Sequence, residues 1–330
     1  MIKKTFLVFL TLTVSTGMWG QKTSFNWIPV DSTHLDSLNN LGLSFLTSKD
    51  QSKRISAEGL FDAHLEALLN EKDAFYFNFD SLKCASHLVA PDSSFKLFTW
   101  QLYLSEDKYL YKGLIQKRNG DLIKLEDKSD EYLSAEFETG DPSFWYGSFY
   151  YNLLPFTSKS GEQLYLLFGF DGNALMERRK VIEVMKFEDD QVYFGQPVFL
   201  KTLNSPGHPP TKMRVILEYF AASSVKCNYE EPLDRILFDH LTFTKTPHGE
   251  FLIPDGTYEG YEYKDGVWYH VPKMFHEVLM DAPRPEPVFS DKAGEGKLDI
   301  HGKNRFRSHP DEDEIERKKK KLKKSKKKEN

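Results

Sequence analysis

The sequence predicts a mainly β protein: an antiparallel meander of short hairpins forming a sandwich, a barrel-like or a propeller-like body. A small N-terminal helical region precedes it and a disordered C-terminal tail follows. Three observations predict this. Aromatic residues make up 14% of the chain, including 26 Phe and 16 Tyr, and such side chains suit the half-buried surface of strands. Apolar residues recur with period two along much of 95–271. Asx-Gly turns at Asn119-Gly120, Asp171-Gly172 and Asp265-Gly266 separate the runs.

Residues 1–20 read as an export signal. Lys3 and Lys4 precede the short apolar run 6–14, and small residues follow at Ser15, Gly17 and Gly20. Thr11, Thr13, Ser15 and Thr16 interrupt that run well short of the roughly 20 apolar residues a membrane-spanning helix needs. The chain is therefore expected in the periplasm or outer cell envelope, with no transmembrane helix after cleavage.

Residues 21–90 form the expected helical region. Leu35, Leu38, Leu41 and Leu46 lie near helical spacing over 31–47, with Gly42 as a weak point. A second helix is expected over 57–70, with Ser56 as its N-cap, Glu58 at its positive end and Lys72 after its negative end. Phe61, Leu65, Leu68 and Leu69 form the apolar stripe of that helix. His64 beside it is expected to be a half-covered helix residue, because no second ligand sits at i+4.

Residues 91–280 form the expected β-rich domain. Phe98, Trp100, Leu102 and Leu104 point one way and Phe95, Leu97, Thr99 and Gln101 the other. Further strands are expected over 109–117, 122–125, 145–154, 163–170, 180–187, 192–194, 213–220, 235–243, 258–263 and 267–271. The run 163–170 is almost wholly apolar, as in a strand covered on both faces. Pro206, Pro209 and Pro210 bar the stretch 204–211 from any ladder.

The tail, 281–330, has few apolar residues and is expected to lack order. Charge is unevenly shared along the chain. Residues 317–330 hold ten Lys or Arg against one acid, a net of +9, while the other 316 residues hold 34 bases against 48 acids, a net of −14. The Lys-rich stretch 317–328 could meet an anionic surface. Export argues against a nucleic-acid partner.

No motif names a reaction. The chain has no Gly-x-Ser-x-Gly, no His-Glu-x-x-His, no phosphate loop and no dinucleotide glycine fingerprint. Asp171-Gly172-Asn173 resembles part of a calcium loop without its alternating acids, and reads as a turn. Asp239 and His240 are adjacent acid and imidazole. In a regular strand they face opposite sides, so sharing one site would require a bulge. Asp171, Asp239 and His240 are the candidate catalytic residues, with Trp145 and Tyr146 as candidate ligand-binding aromatics; the competing reading is hydrogen-bonded core and cross-strand packing. Cys84 and Cys227 are the two cysteines, compatible with one disulfide or with two buried thiols. No metal ligand set and no cofactor is expected.

Several segments carry a family resemblance: 95–100 (Phe-Lys-Leu-Phe-Thr-Trp), 145–151 (Trp-Tyr-Gly-Ser-Phe-Tyr-Tyr), 164–173 (Leu-Tyr-Leu-Leu-Phe-Gly-Phe-Asp-Gly-Asn), 235–241 (Arg-Ile-Leu-Phe-Asp-His-Leu) and 253–261 (Ile-Pro-Asp-Gly-Thr-Tyr-Glu-Gly-Tyr). Over about residues 90–270 the chain resembles a group of uncharacterised exported proteins of the Bacteroidota. The resemblance implies an envelope location and a single β-rich body, and it transfers no catalytic residue. Neither end resembles the folded sorting domain of type IX secretion cargo. The expected function is a non-enzymatic binding or scaffold component of the envelope, with a glycan, peptidoglycan or protein as its partner. The alternative is a hydrolase acting on envelope glycan or peptide.

Overall fold

The computed structural model describes residues 26–105, 108–201, 211–246 and 249–275, with the backbone of 289–290 and 297–298. Residues 1–20, where an export signal is expected, lie outside the described residues. So does the tail 281–330, apart from a two-residue pairing of Phe289–Ser290 with Lys297–Leu298.

In chain order the elements are β1 (Ile28–Pro29), α1 (Ser32–Thr47), α2 (Gln51–Leu69), β2 (Phe77–Asn78), β3 (Ser86–Val89), β4 (Phe95–Ser105), β5 (Lys108–Lys117) and β6 (Leu122–Glu126). Then come β7 (Phe149–Thr157), β8 (Gln163–Asp171), β9 (Glu177–Glu188), β10 (Gln191–Phe194), β11 (Phe199–Leu200) and β12 (Val215–Phe220). The described body ends with β13 (Cys227–Glu230), β14 (Arg235–Thr246), β15 (Gly249–Lys264) and β16 (Val267–Val271).

Among the described residues, three larger open, mostly antiparallel sheets form beside a two-stranded parallel pair of β1 and β2. Sheet I runs β3-β4-β5-β6; sheet II runs β10-β9-β8-β7, with β12 also paired to β9; sheet III runs β11-β16-β15-β14-β13. None closes into a barrel. The helical pair and the three sheets stack as four layers, and a separate apolar core fills each of the three gaps.

Strand periodicity sets which core each residue joins. In β4, Phe98, Trp100 and Leu102 meet the helices, whereas Phe95 and Leu97 meet sheet II. In β8, Leu164, Leu166 and Phe168 meet sheet III, whereas Tyr165 and Leu167 meet sheet I. The nearly continuous apolar run of β8 follows from its place in the middle sheet, covered on both faces. Each such Leu or Phe taken from water contributes about 1.5–3 kcal/mol before conformational entropy is counted.

The helices differ from expectation at two points. α2 begins at Gln51, capped by Asp50, whose Oδ1 accepts from the Ser52 and Lys53 amides. Ser56 is therefore interior to the helix. Glu58 does not serve the helix dipole; it is buried and accepts a 3.0 Å hydrogen bond from the Trp100 indole. Gly42 is tolerated within α1 because a methyl there would overlap the Cβ and Sγ of Cys84. The helices have no core of their own, since Phe45, Phe61 and Leu65 share one with sheet I.

Turn chemistry also needed correction. A two-residue Asn-Gly hairpin turn places both residues at positive φ, yet at Asn119-Gly120 only Gly120 (φ 98°) lies there. Lys117 accepts from the Gly120 amide and donates to Asp121, so this is a longer turn closed by a left-handed glycine. Asp265-Gly266, with φ 52° and 84°, does have both residues positive. Trp145 precedes β7 rather than starting it, and pairs as an isolated bridge with Asp127.

Candidate functional site

The described surface has a cavity of about 250 Å³ between sheets I and II. It forms where the β8–β9 turn meets β5 and the chain after β6. Tyr109, Asp127, Ser129, Asp171, Asn173 and Arg179 contribute to its wall.

Asp171 ends β8 and pairs in register with Arg179 of β9, so both side chains leave the same face of sheet II. The residues between them form a fixed turn. Asn173 adopts a left-handed φ of 46°, and its amide donates to Asp171 Oδ1 at 2.7 Å. Arg178 Nη1 donates to the Gly172 carbonyl at 2.8 Å. The Gly172 amide donates to the Tyr111 hydroxyl at 2.6 Å. Gly172 lacks a side chain where one would meet the Tyr109 ring, at 2.8 Å, and this lets the ring close over the turn.

Asp127 closes the other side. Its Oδ2 accepts from the Tyr111 amide at 2.8 Å, and its Oδ1 accepts from the amide and hydroxyl of Ser129 at 3.0 and 2.6 Å. Gly147 has no side chain, and a methyl there would overlap this carboxyl.

Charge at the site is unevenly matched. Lys108 pairs with Asp130 and Lys128 with Glu131 at the rim. Arg179 is shared: Glu218 holds it at 2.7 Å, Asp171 lies at 3.7 Å, and its Nη1 donates to the Tyr146 hydroxyl at 3.3 Å. Burial pushes the Asp171 carboxyl up to about 6. The Asn173 amide and Arg179 oppose that rise and the Asp127 charge adds to it. Burial works against the Arg179 charge, but Tyr146, Glu218 and Asp171 hold it firmly protonated. Burial raises the Tyr111 phenol well above its usual range.

The residues singled out from the sequence do not gather in one place. Asp171 lines the cavity, and Tyr146 touches it indirectly through Arg179. Trp145 is fully buried in the core between sheets I and II and donates to the Tyr150 hydroxyl at 3.0 Å. Asp239 and His240 belong to sheet III. The β14–β15 register shifts between Asp239 and Leu241, so the bulge needed for the two to share a site exists at His240. They nonetheless enter separate networks. Asp239 Oδ2 accepts from the Lys226 amide at 2.5 Å, and burial raises its carboxyl. His240 lies 2.8 Å from Asp255 and 3.3 Å from Glu259, which also holds His270 at 2.7 Å.

Cys84 and Cys227 are free buried thiols in different cores, the first between the helices and sheet I, the second between sheets II and III. Burial pushes each thiol up to about 12. His64 does meet a second imidazole, on the other helix rather than at i+4: His34 Nδ1 lies 2.9 Å from its Nε2. Among the described residues, no group of three or more His, Cys, Asp and Glu is placed to hold a metal ion.

Sequence reasoning missed Tyr109, Tyr111, Asp127, Asn173 and Arg179 as wall residues. The short spacing Asp127-x-Ser129 was a legible signal for a side-chain-closed turn. The pairing of Asp171 with Arg179 was not legible, because the seven intervening residues do not fix register as a two-residue hairpin would.

Comparison with known proteins gives no match: no family model, no curated protein and no solved structure matches the chain.

Proposed function

We propose that this protein is an exported, non-enzymatic binding component of the cell envelope, and that the cavity between sheets I and II takes one unit of an envelope glycan. The observation that carries the reading is the meeting of Asp171, Arg179 and Asn173 beneath the Tyr109 ring around about 250 Å³. That volume falls just under the roughly 300–1,000 Å³ of ordinary small-molecule sites, which suits a single ring. Carboxylates accept from sugar hydroxyls, a guanidinium and a carboxamide supply donors, and an aromatic face covers the apolar side of a pyranose. The apolar run 6–14 behind Lys3 and Lys4 supports export, as does the resemblance over residues 90–270.

The test is calorimetric titration of the protein with monosaccharides, chitooligosaccharides and soluble peptidoglycan fragments. Saturable binding to one glycan class is expected, weakened about tenfold or more by Tyr109→Ala and by Asn173→Gly, the second of which keeps the left-handed backbone of this turn without strain. No saturable binding to any of them would overturn the reading. Turnover with loss of product formation in Asp171→Asn would establish the hydrolase alternative instead, for which a buried carboxyl held near 6 is the motivating feature.

A further inference from the structure

We propose that the outer edge of β14 between Leu241 and Lys245 pairs with the same edge of a second copy of the chain, joining two sheets III into one across a twofold axis. The β14–β15 hairpin is longer than the strands flanking it. β13 covers β14 only from Arg235 to Phe238, and β16 covers β15 only from Gly260 to Lys264. The last contact of the β13 side with β14 is the Asp239 amide donating to Lys226 at 3.2 Å. Beyond the register shift at His240, Leu241–Lys245 pair with Glu250–Pro254 on one side. Among the described residues no strand pairs with them on the other. In any antiparallel pair, alternate N–H and C=O groups point away from the partner, so this edge presents backbone groups suited to strand addition.

The hairpin arm is held in place. Phe251 on its inner face stacks on Phe220 of β12, with ring centroids 4.7 Å apart. Its outer face carries Leu241, Phe243, Leu252 and Pro254, and Phe243 is 75% exposed. The two edges of the arm are not equivalent. β15 has Pro254 and the irregular stretch 255–257, features that discourage strand addition. The β14 segment reads Leu-Thr-Phe-Thr-Lys, with no proline and strong β formers.

That segment is also self-complementary. Antiparallel pairing centred on Phe243 places Phe243 opposite its copy, Thr242 opposite Thr244 of the other chain, and Leu241 opposite Lys245. Aromatic and Thr–Thr cross-strand pairs are favourable, and the two lysines do not face each other. A twofold contact of this kind is isologous and closes at two chains. Five residues of edge bury less than a standard interface, so a reversible dimer with a Kd on the order of micromolar is expected. The proposal does not depend on the glycan reading.

Sedimentation equilibrium over a range of concentrations tests it. The expected result is a monomer–dimer equilibrium that Phe243→Lys weakens by about tenfold or more. Leu133→Lys, at a residue 97% exposed elsewhere on the surface, should leave it unchanged. Hydrogen exchange on the unmutated chain should show every second amide from Leu241 to Lys245 slowing as concentration rises. A chain that stays monomeric throughout would overturn the proposal. So would a dimer that Phe243→Lys leaves intact, or one that Leu133→Lys disrupts equally.

Discussion

Arg214 Nε lies 2.6 Å from Glu183 Oε2, and neither side chain reaches solvent. Arg214 Nη1 also donates to the Ala135 carbonyl, and the guanidinium lies 4.9 Å from the centre of the Tyr132 ring. The pair thus ties the middle strand of sheet II to the long connection that precedes β7. Glu183→Gln would leave a buried guanidinium without its counter-charge and is expected to lower stability by about 3–5 kcal/mol. Glu183→Leu combined with Arg214→Met should recover most of that loss, because both desolvated charges are then gone. Urea unfolding of the single and double variants checks this, and a double variant as unstable as the sum of the singles would contradict it.

Asp171 makes stability depend on pH in a defined direction. Its folded-state carboxyl titrates near 6, above the ordinary value of 3.8. The folded protein therefore holds this proton more tightly than the unfolded chain. The stability it contributes is fully present below about pH 4 and lost as pH rises through about 6, by roughly 3 kcal/mol at most. Other carboxylates titrate over the same range, so the informative quantity is the difference between the unmutated protein and Asp171→Asn. That difference should change between pH 4 and 6 and be level above pH 7. A flat difference across the whole range would show that Asp171 titrates normally.

The two thiols should be silent in the native state. Burial holds both near 12 and neither is bridged, and only the thiolate reacts readily. Intact mass measurement after exposure to iodoacetamide is expected to show no label on the folded chain. Two labels should appear once it is unfolded without reductant. A single species two mass units light and unlabelled after unfolding would indicate a disulfide.

Gly42→Ala should destabilise despite the better helix propensity of alanine. The gain is worth about 1 kcal/mol, but the new methyl would overlap Cys84, whose backbone is fixed beside β3. Overpacking of this kind costs about 1–3 kcal/mol, so a net loss in thermal or urea stability is expected. Gly59→Ala is the control. It lies in α2 with open space beside it and should stabilise.

How much was legible depended on how local the cause was. The two faces of β4 followed from alternation alone, and Asp265-Gly266 followed from the φ values such a turn demands. The start of α2 was misplaced because Ser56 and Asp50 are both good caps, and only Asp50 has the backbone geometry to accept from two amides. Strands were expected over 235–243 and 258–263, whereas β14 and β15 run over Arg235–Thr246 and Gly249–Lys264 as one long pairing with an irregularity between Asp239 and Leu241. The cavity was only partly legible. Asp171 stood out by its place in a turn, but the rest of the cavity wall comes from β5, the chain after β6, and β9, far apart in sequence.

The sequence by itself determined the β-rich class, the two helices, the faces of the best-patterned strands and the covered position of β8. These depend on period, turn chemistry and apolar content, which act over a few residues. Tertiary structure alone decided that the sheets stack in separate layers, that Asp171 meets Arg179 while Asp239 and His240 lie elsewhere, and that Cys84 and Cys227 sit in different cores. Those outcomes depend on register and layer order. Both are fixed by the simultaneous packing of segments distant along the chain, and no local propensity encodes them.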